Sequence, residues 1–353
     1  MHNQPALTLS EPKDAKEQIP NVLRIIEHLN GYYISQCLMV AAELGIADIL
    51  RDGPVSVERI SLQTEVNQDS LHRMLSALCK VGVFEEGQTG QFSNNELSAA
   101  LTSDGKYSVR SLAMLHRSHY WHLWSRFYDT VKFGGSAALL DSSGPFEKLA
   151  EDPRKLELFH QSIGNLTKLD TEHLPRAYDF SRANSFIDIG GGNGQLAVEL
   201  VRQVPHLTGA VLDLEEVNPA FEQTKARDPE SQVKFVSGNF FQDMTLHAYD
   251  LIILKNILHD WEDRKAHLIL RNCRNSMTRR SQQLLIVEVV LNAVDEPLYG
   301  RLRDLNMMVS MHTGRERSLP EFQELLKEVG LRLIKTSRLP SGQSLMVCCR
   351  EEA

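Results

Sequence analysis

The 353-residue chain is poor in cysteine and aromatics, has no long apolar run, and carries no excess of positive charge. Its five cysteines, Cys37, Cys79, Cys273, Cys348 and Cys349, form no C-x-x-C pair and no cluster with histidine, and their number is odd. A disulfide framework is therefore not expected, and a reducing, cytoplasmic setting is the simpler reading. The thirteen histidines follow no ligand spacing, so no metal is expected. No apolar stretch approaches the roughly 20 residues of a bilayer-crossing helix, which argues against a membrane partner. Residues 1–18 lack the apolar centre of a signal peptide and are expected to be a frayed tail. The formal net charge of -8 argues against a general nucleic-acid binder, which must neutralise phosphates with clustered Lys and Arg.

What is present falls into two halves. From Val22 to about Ala100 apolar residues recur at helical spacing, with Val22, Ile25, Ile26 and Leu29 succeeded by Leu38, Ala41, Ala42 and Leu44. Two further helical segments, near Val57–Ile60 and Asp69–Leu78, precede a polar hairpin from Glu85 to Phe92, the order of a winged helix. Between Arg51 and Gly90, four basic residues (Arg51, Arg59, Arg73, Lys80) face six acidic ones (Asp52, Glu58, Glu65, Asp69, Glu85, Glu86), a poor surface for a phosphate backbone. The apolar positions between Asn21 and Leu50 suit packing against a second subunit, although an intrachain core explains them almost as well. Tyr120, Trp121, Trp124, Phe127 and Tyr128 then crowd a helical stretch that either forms core or lines a pocket for an aromatic ligand.

After Ser185 strand and helix alternate, the pattern of an α/β, doubly wound, mostly parallel sheet. Seven apolar runs read as strands: 185–189, 210–214, 233–236, 251–254, 284–291, 331–337 and 344–349. Amphipathic segments at 195–203, 263–276 and 320–329 read as helices. Pro340-Ser341-Gly342 is too short for a crossover, so the last two runs should be antiparallel.

The first strand of this half enters Asp188-Ile189-Gly190-Gly191-Gly192-Asn193-Gly194-Gln195. Glycine lets the main chain approach a ligand, and a helix start offers unpaired N–H groups. A dinucleotide loop, Gly-x-Gly-x-x-Gly, would need glycine at Gln195. The actual spacing, with an acid ahead of Gly190, Gly192 and Gly194, resembles motif I of the class I S-adenosylmethionine methyltransferases. Asp213 ends the next strand, where a carboxylate can accept ribose hydroxyls. Gly238-Asn239-Phe240-Phe241 ends the third and could offer an amide and an aromatic face to adenine.

Lys255-Asn256-Ile257-Leu258-His259-Asp260-Trp261 comes directly after the fourth strand. With the glycine loop upstream, the chain from about residue 21 to 350 resembles the small-molecule O-methyltransferases that include the caffeic acid and hydroxyindole enzymes. The resemblance implies a Rossmann-like, seven-stranded methyltransferase sheet preceded by a mainly α winged-helix dimerisation domain. The expected division is dimerisation domain 19–110, helical linker 111–180 contributing to the substrate pocket, and cofactor-binding catalytic domain 181–353. It implies S-adenosyl-L-methionine as cofactor, a small hydroxylated aromatic as substrate and a homodimer formed through the amino-terminal domain. His259 would be the general base, supported by Glu288 and Glu316. Asp188, Gly190, Gly192, Asp213, Asn239, Phe240, Lys255 and Trp261 would bind the cofactor, and Asp260, Asn306 and Met307 the acceptor. Carbon methylation, a reaction diverted from methyl transfer, and a cofactor-sensing winged-helix regulator are the competing readings. One departure stands out: the family has Asp where this chain has Asn239, so an acceptor carboxylate has become an amide. A phenol has a pKa of about 10 and free histidine about 6.5, so proton transfer to an unassisted imidazole is uphill by roughly 5 kcal/mol. The base needs carboxylate help.

Overall fold

The computed structural model describes residues 21–88, 90–135, 149, 151–292, 298–311 and 313–351. The expected tail lies outside the described residues. The first helix, Asn21–Glu43, exposes Val22, Leu23, Ile25, Ile26 and Leu29, and becomes buried only from Met39 onward. It does not run on to Leu50 as the apolar spacing suggests. Gly45, in the left-handed region at φ 66°, breaks it before a short helix, Ile46–Ile49.

The winged-helix order is present. Helix Val57–Thr64 starts where the Ser56 hydroxyl accepts from the Arg59 N–H at 3.3 Å, and helix Gln68–Lys80 where Asn67 Oδ1 accepts from the Ser70 N–H at 3.0 Å. The wing has three strands, β1 (Val55–Ser56), β2 (Glu85–Glu86) and β3 (Gln91–Ser93), in the order β1-β3-β2. The expected hairpin pairs β2 with β3. β1 is too short to show alternation and exists through pairing with β3.

In the second half β4 (Ser185–Ile189), β5 (Thr208–Asp213), β6 (Val233–Ser237), β7 (Leu251–Lys255), β8 (Gln283–Glu288), β11 (Leu331–Arg338) and β12 (Ser344–Arg350) form one seven-stranded sheet, in the order β11-β12-β8-β7-β4-β5-β6. The block from β8 to β6 is parallel, and β12 pairs antiparallel with both β8 and β11, as the short Pro340–Gly342 link requires. Continuous apolar runs suit a sheet covered on both faces. Helices Asp263–Ser276 and Leu319–Glu328 cover one face, around Ile252, Leu254, Ile269 and Phe322, and Gln195–Gln203 covers the other, around Phe186, Val211 and Leu200.

The run 284–291 is not one strand. β8 stops at Glu288, whose carboxylate turns out to the main-chain amides of Ile257 and Leu258; after Val289, β9 (Val290–Leu291) pairs in parallel with β10 (Arg317–Ser318). A buried carboxylate thus ends the apolar run. Between the halves, helix Arg110–Leu115 widens into a π-turn at His116–Tyr120 and resumes as Trp121–Trp124. Trp124 Nε1 donates to Asn306 Oδ1 at 3.0 Å, tying this stretch to helix Leu298–Ser310.

Candidate active site

A cavity of about 2410 Å³ lies over the carboxyl ends of β4, β5 and β7, and every site residue expected from the sequence reaches it except Glu288 and Glu316, which sit behind His259. Its floor at the glycine loop is main chain. Gly190, Gly192 and Gly194 all have positive φ, 68°, 57° and 75°. A Cβ on Gly190 would come within 2.6 Å of Ile257 and one on Gly191 within 2.5 Å of the Asp188 carboxylate, whereas one on Gly192 would project into open space. The loop is therefore folded tightly against its strand and leaves a bare concave surface toward the cavity.

The carboxylates there are desolvated. Burial pushes Asp188 up to about 7 despite the opposing charge of Lys255, and it raises Asp213 as well. Asp213 accepts the Gly192 N–H at Oδ2 and the Leu214 N–H at Oδ1, each at 2.8 Å, so it braces the glycine loop and keeps further lone pairs for a ligand. Asn239 Oδ1 accepts the Phe241 N–H at 2.9 Å. That takes one lone pair of the oxygen and leaves the other, with the amide NH2, for a ligand. Phe240, Phe241 and Trp261 form an edge-on aromatic cluster, with Phe241 and Trp261 centroids 4.8 Å apart.

Lys255, which lines the cavity, has a partner that the sequence does not suggest. Its ammonium is buried and pairs with Asp170 at 3.2 Å. Asp170, on helix Pro153–Thr171, also accepts from the Ser341 hydroxyl. Nothing around Asp170 marks it in the sequence, because its partners come from β7 and from the turn between β11 and β12.

At the other end His259 sits on a one-turn 3-10 helix, Leu258–Asp260, just after β7. Nδ1 meets Glu316 Oε1 at 2.9 Å and lies 3.5 Å from Glu288 Oε2, while Nε2 lies 3.4 Å from Asp260 Oδ1. Burial alone would depress the imidazole, but Glu288, Glu316 and Asp260 together outweigh it and push it up to about 9. Burial raises Glu288, whose Oε1 accepts the Ile257 and Leu258 N–H groups at 2.9 Å. Glu316 is held low against burial by His259, Arg303 and Arg317. Asp260 is pushed by burial to about 6.

His259, Glu288 and Glu316 also put ligand atoms within 4.8 Å of one another, a spacing that a cation could use. Arg303 Nε, 3.0 Å from Glu316, already supplies positive charge there, and Nδ1 of His259 is taken by the carboxylate. The cluster is thus arranged as an imidazole with its counter-ions. Met307 is buried beside the cavity, and Asn306 holds Trp124. Arg303 and Arg317 escape a reading of the sequence; the only signal for Arg317 is its place in Gly314-Arg315-Glu316-Arg317, and for Arg303 its place in Arg301-Leu302-Arg303-Asp304, and neither says anything of direction.

Residues 124–332 match the model of the O-methyltransferase domain, and residues 26–104 that of the O-methyltransferase dimerisation domain. The chain is 33% identical over 324 residues to a phenazine O-methyltransferase of Lysobacter antibioticus, covering 91% of this chain and 94% of that protein. It is 31% identical over 319 residues to a mitomycin biosynthesis 6-O-methyltransferase of Streptomyces lavendulae, covering 89% of each. Among solved structures, the CalO1 methyltransferase of calicheamicin biosynthesis, in its S-adenosylhomocysteine-bound form, superposes with a TM-score of 0.83 at 27% identity, covering 95% of this chain and 99% of that one.

Proposed function

The chain belongs to the S-adenosylmethionine-dependent O-methyltransferases, and from that premise we propose that it methylates a hydroxyl of a small aromatic molecule with His259 as general base. The observation that carries the reading is the buried His259–Glu316 contact of 2.9 Å, within a carboxylate set that lifts the imidazole to about 9. Against a phenol of pKa about 10, the proton-transfer gap shrinks to roughly 1.4 kcal/mol. Glu316 fixes the tautomer by taking Nδ1–H, so Nε2 is the atom that receives the acceptor's proton.

The residues at the glycine loop suit the methyl donor. The desolvated Asp188 carboxylate facing the cavity calls for a cationic partner such as an ammonium, Asp213 retains acceptor capacity for vicinal hydroxyls, and the bare surface at Gly192 admits close approach. When bound, S-adenosylmethionine supplies a methyl group already activated by the sulfonium charge. The protein's part is to hold the acceptor oxygen in line, to exclude water and to take the proton. Tyr120, Trp121, Trp124 and Phe159 supply aromatic walls, with Asp260, Asn306 and Met307 completing the acceptor side. In this reading residues 19–110 form the dimerisation unit, 111–180 contribute to the acceptor pocket and 181–353 hold the cofactor. A homodimer would cover the exposed apolar side of helix Asn21–Glu43.

The test is incubation with methyl-labelled S-adenosylmethionine and a library of hydroxylated aromatics, with products located by mass spectrometry. Label on oxygen is expected, with His259→Ala slower by about 10² to 10⁴ and cofactor affinity unchanged. Label only on carbon would overturn oxygen transfer, and equal loss of rate and affinity would overturn the base.

A further inference from the structure

Arg317 is a fully buried guanidinium beside the proposed base, at 0% exposure. It lies in β10 and points across to the turn after β7. Nη1 donates to the Leu258 carbonyl and Nη2 to the Trp261 carbonyl, both at 2.7 Å. Nε and Nη2 also donate to Asp263 Oδ1 at 2.9 and 2.8 Å. The two carbonyls bracket the single 3-10 turn that carries His259. Glu288 holds the same turn from its other side through the Ile257 and Leu258 amides, and the Arg315 N–H donates to the His259 carbonyl at 2.8 Å.

One turn of 3-10 helix has poor internal hydrogen bonds and too little length to stabilise itself, so contacts from outside set its orientation. A guanidinium presents its donors in a fixed plane and reaches two carbonyls and a carboxylate together; an ammonium in that place concentrates its donors at one point. Burying such a charge is costly. Its position next to Glu316, whose ionised form it favours, gives the charge a use that a neutral donor would not serve.

We propose that Arg317 is a positioning residue for methyl transfer: it clamps the Leu258–Asp260 turn so that the His259 imidazole meets Glu316 through Nδ1 and presents Nε2 to the cavity. The inference rests on His259 acting as the base. Its test compares Arg317→Lys, Arg317→Met and Asp263→Asn with the wild type, as full-length protein. The readouts are kcat, the cofactor dissociation constant and the downfield imidazole Nδ1–H resonance of His259. Arg317→Met should lower kcat about 10²-fold, since a small misplacement of a reacting group has that effect, while the resonance is lost and cofactor affinity stays within about twofold. Arg317→Lys should fall between it and the wild type. A wild-type kcat in Arg317→Met, or a fall in kcat matched by an equal loss of cofactor affinity, would overturn the clamp. If Arg317→Met does not fold, Asp263→Asn decides, because Asp263 is largely exposed and orients the guanidinium. A severalfold lower kcat at unchanged cofactor affinity supports the clamp there, and an unchanged kcat overturns it. His259→Ala separates the two layers. Near-normal turnover in that variant removes the base itself, whereas a crippled His259→Ala beside a fully active Arg317→Met removes the clamp alone.

Discussion

The two ends of the cavity are built from different materials. The glycine-loop end is main chain: three glycines at positive φ, a helix start and strand ends, braced by Asp213. The histidine end is side chain, with His259, Glu288, Arg303, Glu316 and Arg317 converging from segments far apart in the chain. A surface made of backbone tolerates few added atoms, and its charge comes from side chains that support it, Asp188, Asp213 and Lys255. A cluster made of buried ions tolerates shape changes poorly too, yet its properties depend chiefly on which partner remains charged.

The largest effect that separates the two ends is expected at the ionic one. Glu288→Ala removes the carboxylate that holds two amides and faces His259, and breaking a buried ionic set typically costs ~3–5 kcal/mol. Chemical denaturation should show that loss, with turnover falling steeply while any folded fraction still binds cofactor. Gly191→Ala is the reverse case. Its Cβ would sit 2.5 Å from the Asp188 carboxylate. Overpacking of ~1–3 kcal/mol should weaken the cofactor roughly 10- to 100-fold by calorimetry without disturbing the titration of His259. Loss of both functions in either variant would mean that the ends are coupled.

An effect that accumulates unit by unit is expected from pH. His259 is raised to about 9 from an ordinary value near 6.5. The stability that its ion pairs contribute is therefore complete below about pH 6.5 and is lost as pH climbs through about 9. The free-base fraction moves oppositely, so kcat/KM of the free enzyme should rise about tenfold per pH unit before levelling near 9. A profile flat from pH 6 to 9 would remove His259 from the proton transfer. The smallest effect belongs to Asn239→Asp. The present oxygen is tied to the Phe241 N–H, and a carboxylate adds a second acceptor. Cofactor binding should tighten about threefold, within the range of one exposed hydrogen bond; weaker binding would show that the amide NH2 is the group in use.

Legibility in the sequence divides along the same line. β4 and the helices Gln195–Gln203 and Asp263–Ser276 match their expected bounds residue for residue, because periodicity and the glycine loop are local signals. The sheet's antiparallel end is legible from a single short link. Three of the two-residue strands, β1, β9 and β10, have no period to read and depend wholly on partners. Arg317 reaches a carbonyl 59 residues away, and Asp170 pairs with a lysine on another element; neither has a pattern in its own neighbourhood. Glu288 and Glu316 are legible through the family resemblance, although a carboxylate inside an apolar strand is by itself a sign of a buried partner.

The π-turn at His116–Tyr120 bears on how such a pocket changes its preference. A π-turn accommodates one more residue than an α-turn between the same anchors. Deleting a single residue from it would restore regular helix while the turns on either side kept their facing, because the widened turn is what absorbs the extra residue. Tyr120, inside the turn, would be re-aimed, while Trp121 and the helix that it begins kept their direction. The shape of this wall of the cavity is thus adjustable by counting residues within one turn, with the side chains on either side left in place.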